Sequence, residues 1–568
     1  MSGPRNPMSI PGTESFLEQL YLGRFRWDLV KSFPQQDDAD RKIGDEVTGL
    51  LRELLEAKVD PDAVDRAARL PDGLVEELQR HGYLKAGVDT ELGGLALSKF
   101  NLFRMVESAA RWSVPVALTL AIENSVGVGP MLPMLPAGPL RELVRERLRA
   151  GTVSGIADTE PQGAANLRRF TTATPTGDGA YLLNGEKLHV GNAPIAELLI
   201  VSATVAEGGA EHRRLFVVDA DSPGLTRTGW HEFMGVKGFP NGGVRFDDVV
   251  VPADRLVEAP PKDDIRLTLE AATMIVVGRL YMIVAPSLAI ARQCRGWAEE
   301  FVRARQIDGR PLADYEEIQR RLAETAADVF AIEAVAEWSL LGPDFTAGGN
   351  PVFEQNAAKN IGSVIGWRVA DRTMSILAGE GYETGPSKTA RGAPRRFPVE
   401  RALRDVRNFR ISGGVDFQLD CWTSQMGVFT YYYPDPDNLA EIEAGEVDLS
   451  ALTGTGLSER NEAHLHRAAR EARELSRVCR ALSRAHPDLA ALATRERAMV
   501  LVSELANELL TVGLVLARAA RLADAGAEDL ADVFCTAAFH RVANLRHQLT
   551  EPDDVDYRRI SAALLGTH

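Results

Sequence analysis

The period of the hydrophobic pattern changes twice along this chain, and the order of those changes restricts the fold more than any single residue does. From about 46 to 150, apolar residues recur at spacings of three and four, as in Val47, Leu50, Leu51, Leu54 and Leu55, which is one face of a helix. Near 152 the pattern breaks into short β-rich runs: Thr171–Thr174, Tyr181–Val190, Leu198–Ala203, Leu215–Asp219 and Val244–Pro252. Asn184-Gly185 carries a hairpin-turn signal, and several short strands at this spacing predict a small sandwich or barrel. From about 265 to 425 helical spacing returns, with long segments around 266–304, 311–342 and 351–378. Tyr431-Tyr-Tyr-Pro-Asp-Pro-Asp437 reads as a linker, and beyond it Ala, Leu, Arg and Glu at helical spacing predict a further helical domain. The expected organisation is an arm over 1–45, helices over 46–151, a β domain over 152–262, a helical bundle over 263–430 and an appended helical domain over 431–568.

At roughly 150 residues per domain, 568 residues suit three or four domains. An apolar content of 45% excludes bulk disorder. The net charge of −16 argues against a nucleic-acid binder, which needs a basic face, and leaves room for a local cationic pocket. Four scattered cysteines, Cys294, Cys421, Cys479 and Cys535, form no CxxC, so neither a cysteine-based zinc site nor a redox dithiol is expected, and no metal site is predicted. Low cysteine use and an N-terminus without an apolar signal core give a cytoplasmic expectation. The most apolar stretch, Met274–Ala291, contains Arg279 and Pro286 and reads as a buried helix rather than a membrane span.

Five motifs, in order, carry a resemblance. They are Asp158-Thr-Glu-Pro161; Leu183-Asn-Gly-Glu-Lys187 followed by Gly191-Asn192; Gly235-Val-Lys-Gly238 with Phe246-Asp-Asp-Val and Val251-Pro252; Arg305-Gln-Ile-Asp-Gly309; and Gly379-Glu-Gly-Tyr382 followed by Pro398-Val-Glu-Arg401 and Arg404-Asp-Val-Arg407. Over residues ~50–420 this set resembles the acyl-CoA dehydrogenase family. The opening Ser15–Arg24 and the helical tail past 435 resemble its very-long-chain branch. The resemblance implies a multidomain, mainly α fold: an N-terminal helical domain, a central β-barrel, a C-terminal four-helix domain and an appended helical domain. It further implies FAD, a homodimer, an acyl thioester on coenzyme A or a carrier protein, and an electron-transfer flavoprotein or oxygen as acceptor.

In that family a carboxylate removes the α-proton of a thioester while hydride leaves for the flavin. Carried over residue by residue, Thr159, Gly191, Arg305, Gly379 and Gly381 fall on cofactor-binding positions. The usual base, a Glu, falls on Gly413 in Arg410-Ile-Ser-Gly-Gly-Val-Asp-Phe417. The minority seat on an earlier helix falls on Gly278-Arg279. A general base is worth 10²–10⁴-fold in rate, so its loss from both seats implies altered chemistry. The family Trp-Ile-Thr beside the flavin reads His189-Val-Gly191 here. His189 is a candidate acid or base, since imidazole titrates near neutrality, or a ring that only packs. Asp416 is a candidate displaced carboxylate, or a solvated or capping residue. The arginines 391, 395, 396, 401, 404, 407 and 410 offer a phosphate site or structural pairing. The expected function is a divergent FAD-dependent oxidoreductase acting on an acyl thioester without the standard Glu. The alternatives are a flavin oxidase or monooxygenase, and a catalytically inactive scaffold or assembly protein.

Overall fold

In the computed structural model the central strand of the β region, Leu198–Glu207, is buried along nearly its whole length, because both of its faces are covered. The structure describes residues 13–566 except 167, 178, 259–272, 434–448, 450–451, 453–454 and 552–554. The expectations for the N-terminal Met1–Pro7, for the boundary at 262, for helix over 266–272 and for the linker from Pro434 onward lie outside the described residues.

The chain forms two compact units: residues 34–347 with 354–416, and the first 33 residues with 348–353 and 417–568. In the larger unit the longer helices are α2 (Asp38–Lys58), α3 (Lys99–Trp112), α4 (Val114–Ser125) and α5 (Pro139–Ala150). They precede eight strands: β1 (Ser154–Ala157), β2 (Thr172–Pro175), β3 (Ala180–Gly191), β4 (Leu198–Glu207), β5 (Ala210–Asp219), β6 (Leu225–Trp230), β7 (Asn241–Pro252) and β8 (Leu256–Val257). They form one sheet of order β6-β7-β3-β2-β4-β5-β8, with β1 parallel to β4. Side chains alternate across a strand, and β4 uses both faces. Leu199, Val201, Ala203 and Val205 enter the core that Phe216, Val244 and Phe246 share. Leu198 and Ile200 pack with Leu140, Val144 and Leu148 of α5.

Two strand details depart from the sequence reading. Asn184-Gly185 is not a hairpin turn: it lies inside β3 at a register shift against β7. Its side chain explains this, since Asn184 Nδ2 donates to Asp248 Oδ1 at 2.8 Å and Asp248 N donates back to Asn184 Oδ1 at 2.9 Å. The hairpin turn between β4 and β5 is Gly208-Gly209 instead, with φ of 60° and 81°, the paired positive values that a two-residue turn requires.

After the sheet come a helix over Thr273–Ala304, α7 (Glu316–Leu341), α8 (Val352–Leu377) and α9 (Val399–Phe409). The α-helical part of the first is α6 (Ala285–Ala304), preceded by a π-helical turn over Leu280–Val284. Pro286 sits in the first turn of α6. A proline supplies no N–H and its ring crowds the preceding turn, and a π turn is a way to widen the helix at such a point.

In the smaller unit, α1 (Phe16–Tyr21) contacts two helices of the C-terminal region, α11 (Glu459–Ala485) and α12 (Glu496–Leu522). The arm expected over 1–45 is therefore packed structure from Thr13 onward. Phe16, Leu17, Leu20 and Tyr21 are all at most 1% exposed, and a segment that apolar is held by burial rather than left in water. α10 (Asp416–Tyr432) runs through the first residues of the expected linker, and Tyr432 is buried. The C-terminal core thus begins near 417 rather than at 431. α13 (Ala525–Thr550) and α14 (Tyr557–Leu565) complete the unit. Three segments, Val114–Met134, Thr273–Ala304 and Glu496–Leu522, are long and apolar enough to cross a membrane by length and composition, and their most apolar windows are 78–94% buried inside the structure. For Met274–Ala291 this is the buried helix expected.

Candidate functional site

The features singled out in the sequence gather in the larger unit at three places. The first is the end of β3. Two residues, Leu188 and His189, stand opposite the single Gly243 of β7 between the pairs Lys187↔Val244 and Val190↔Gly242. Such a bulge re-aims a side chain, and His189 takes the left-handed φ of 55°. Its exposed ring meets His231 at 5.1 Å and Phe233 at 5.9 Å between centroids. Burial first, and His231 second, lower the His189 pKa below the ordinary imidazole value. Leu188 N donates to Thr159 O at 2.9 Å, so Thr159 lies beside the bulge. Gly191 is buried, and a Cβ there would come within 2.9 Å of Ile122 Cδ1 and 3.1 Å of Phe239 Cζ. Its neighbours have filled the space of a side chain.

The second place brings Arg305 and Gly379 to one core cluster. Val302 and Leu312 on one side pack with Ile376 and Leu377 on the other. Arg305 caps the C-terminus of α6 and leads into a tight hairpin whose turn, Asp308-Gly309, has φ of 50° and 81°. Arg305 is exposed, and no carboxylate pairs with it among the described residues. A Cβ on Gly379 would meet nothing within 4 Å, whereas one on Gly381 would press on Met374 O at 3.0 Å. Gly379 faces open space, and Gly381 is required by packing.

The third place is the loop between α9 and α10. Gly413 has φ of 69° and Gly414 of 111°, conformations that glycine adopts without strain. A Cβ at Gly413 would lie 3.5 Å from Arg279 Cγ, 3.8 Å from Ile283 Cγ1 and 4.0 Å from Arg279 Nε. A Cβ at Gly278 would meet Ser125 Cβ at 3.0 Å, a tight contact with α4. One face of α8 holds the arrangement together. Asn356 Oδ1 accepts from Arg279 Nη1 at 2.7 Å, Lys359 Nζ donates to Gly414 O at 2.6 Å, and Asn360 Nδ2 donates to Asp416 O at 2.8 Å. Residues three and four apart share a helix face. Arg279, Asn356, Lys359 and Asn360 were not read as a site from the sequence. What marks them out is burial at helical spacing, which shows only once the helix is packed, since the same helix carries several other polar residues.

The Asp416 carboxylate is paired with Arg410. Arg410 Nε and Nη2 both meet its Oδ2, at 2.7 and 2.6 Å, an ion pair within the loop. Most of the arginine run is likewise paired. Arg404 forks onto Asp65 and bonds Glu400, Arg401 meets Asp62, Arg391 meets Glu380 and Glu383, and Arg395 meets Glu300. Asp405 is buried and accepts from Val236 N at 2.5 Å, with its pKa pushed up to about 6 by burial. The charged groups of this run serve folding more than phosphate binding. A cavity of about 560 Å³ is lined by α2, α3, α6 and α7 and by the ion pairs of Arg292 with Glu107 and Glu333, and none of the predicted site residues lines it. No group of three or more metal-ligating side chains occurs among the described residues.

With this geometry in hand, the chain can be set beside known proteins. The acyl-CoA dehydrogenase N-terminal, middle and C-terminal domain profiles match residues 43–134, 155–249 and 271–417. The Mycobacterium tuberculosis protein named probable acyl-CoA dehydrogenase FadE10 is 34% identical over 405 residues, 70% of this chain and 61% of that one. The mitochondrial very long-chain specific acyl-CoA dehydrogenase of Rattus norvegicus is 25% identical over 427 residues, 73% of this chain and 62% of that one. The chain thus spans about three-fifths of the length of these curated relatives. An acyl-CoA dehydrogenase from Bacillus anthracis, solved as a complex with FAD, superposes with a TM-score of 0.72 over 96% of this chain and 94% of its own, at 21% identity. The profiles cover the helical, β and helical regions in the order in which the fold presents them, and the chain belongs to the acyl-CoA dehydrogenase family, whose members are FAD-dependent oxidoreductases.

Proposed function

We propose that this protein is an FAD-dependent oxidoreductase acting on an acyl thioester, carried by coenzyme A or a carrier protein, without a glutamate base at either family seat. One observation carries the reading: at both family seats a glycine stands, Gly413 with no side chain toward Arg279 and Gly278 in tight contact with Ser125. The residues present fit the cofactor. Arg305 offers an exposed guanidinium suited to a diphosphate, Gly379 leaves open space where a Cβ would stand, and Thr159 lies beside the bulge at His189. FAD, when bound, supplies the hydride acceptor that no side chain can provide.

The chain's own part is to bind, orient and move a proton. His189 is the best-suited proton handler. Its depressed pKa keeps the imidazole neutral near pH 7, and a neutral ring nitrogen accepts a proton. Asp416 is the weaker candidate because Arg410 already occupies its carboxylate. A second copy of the chain and an electron-transfer flavoprotein or oxygen are the proposed partners.

The test starts with the purified protein's visible spectrum. A flavin spectrum that bleaches anaerobically on addition of an acyl thioester is expected. Bleaching that requires NAD(P)H instead assigns a monooxygenase. A colourless protein that refuses added FAD overturns the redox reading in favour of a scaffold. Gly413→Glu should raise thioester dehydrogenation even though a left-handed φ costs an L-residue about 1–2 kcal/mol. No gain with FAD still bound means that the acyl site has been rebuilt.

A further inference from the structure

Among the described residues, Arg279 stands at the Gly413 loop without a carboxylate partner. It sits on the last turn before the π-helical segment, half-buried, with Ile283 of that segment 1% exposed. Its Nη1 bonds only a neutral amide, Asn356 Oδ1. No carboxylate pairs with it among the described residues, in contrast to Arg391, Arg395, Arg401, Arg404 and Arg410 nearby in sequence to the loop. A cation taken out of water without an anion is costly, and burial accordingly lowers the Arg279 pKa. A second basic residue closes the other side of the loop: the Lys359 side chain is fully buried, with Nζ on Gly414 O.

The side that lacks an anion is also the side that is open. Gly413 is exposed, and the Cβ it does not have would lie against the Cγ and Nε of Arg279. With Nη1 held by Asn356, the remaining edge of the guanidinium is a planar fork matched to a carboxylate. A single cation with one free planar edge suits a singly charged planar group better than a doubly charged, tetrahedral phosphate. We propose that Arg279 is the receptor for a carboxylate on the acyl group of the substrate, seated at the side-chain-free face of Gly413, so that this protein selects thioesters of dicarboxylic acids. The inference rests on the acyl-thioester reading above and names the class of acyl group.

The test is calorimetric binding to the FAD-loaded protein, kept anaerobic, of matched coenzyme A thioesters: glutaryl against pentanoyl, and succinyl against butyryl. Free coenzyme A serves as a control for phosphate contacts. At least one dicarboxylic thioester should bind about tenfold or more tighter than its matched partner, as a partly desolvated Arg–carboxylate fork provides. Arg279→Gln should abolish that preference while leaving the monocarboxylic thioester and free coenzyme A within about twofold of the parent, since neither carries an acyl carboxylate for the guanidinium to bind. Arg279→Lys should retain an intermediate preference, because the charge stays and the fork goes. Gly413→Glu, which supplies an internal carboxylate, should also lose the preference, and it tests the idea if the Arg279 variants do not fold. Equal affinity for matched thioesters in the parent overturns this inference alone. So does a preference that survives Arg279→Gln, or a fall in affinity for free coenzyme A in that variant. Failure of the parent to bind any thioester overturns both this inference and the acyl-thioester reading.

Discussion

Two buried glutamates flank strand β1, and the protein treats them in opposite ways. Glu160, just after the strand, is 2% exposed and meets the fully buried Lys187 ammonium at 2.8 Å, with Phe170 N and Thr171 N donating to it at 2.7 and 2.8 Å. Burial works to raise its pKa, but these donors outweigh burial and hold it below the usual carboxylate range. Glu123, on α4, faces the start of the strand. It accepts from Ser154 N at 2.6 Å, Ser154 Oγ at 2.9 Å and Asn192 Nδ2 at 3.3 Å, all neutral donors. Burial dominates there and raises its pKa to about 8. The comparison teaches that hydrogen bonds alone do not keep a buried carboxylate ionised here, whereas an ammonium does. Arg279 is the mirror case, a cation given an amide but no anion.

The largest expected effect lies in the compensated pair. Lys187→Met should destabilise the protein by about 3–5 kcal/mol in urea denaturation, because it leaves Glu160 buried and unpaired. Adding Glu160→Gln should recover part of the loss. A cost below about 1 kcal/mol would mean that the backbone donors suffice for Glu160, and the comparison with Glu123 would break.

Next is Glu123→Gln. A carboxyl whose pKa is raised on folding contributes stability at low pH that is lost as pH rises through its folded value. The glutamine variant should therefore match the parent near pH 4 and grow more stable relative to it between the ordinary carboxylate range and about pH 8. The gain should be on the order of a few kcal/mol. A glutamine variant that instead loses stability relative to the parent as pH rises through the carboxylate range would place Glu123 in the same class as Glu160.

A smaller effect is expected at Asp416. Asp416→Asn removes a partly exposed ion pair and should cost about 1 kcal/mol or less, with turnover of an acyl thioester within about tenfold of the parent. A fall of 10²-fold or more would reassign it as the proton acceptor. Smallest is the titration of His189 followed by NMR. Its midpoint should lie below that of an ordinary imidazole and move upward in His231→Phe, since His231 is the second cause of the depression.

The helix–sheet–helix order and the family motifs were legible because period and turn residues are local signals. Even there, Asn184-Gly185 misled: the turn rule sees two residues, while Asp248, 64 positions away, decides their conformation. Gly413 was legible as a departure from the family pattern. That Arg279 faces it was not, because the contact spans more than 130 positions of chain and is set by α8, whose Asn356, Lys359 and Asn360 look in sequence like ordinary polar residues of a helix. Asp416 was placed correctly in the chain but not its orientation, since the pairing with Arg410 depends on how the loop between them turns. The N-terminal helix was read as an arm because its partners, α11 and α12, lie more than 400 residues away.

The π-helical turn at Leu280–Val284 works as a registration device. One residue of helix corresponds to about 100° of rotation, so the surplus carried by that widened turn sets the azimuth of Arg279 independently of the α6 surface that packs below it. A single-residue deletion there would leave both helical halves intact and swing the guanidinium away from Gly413.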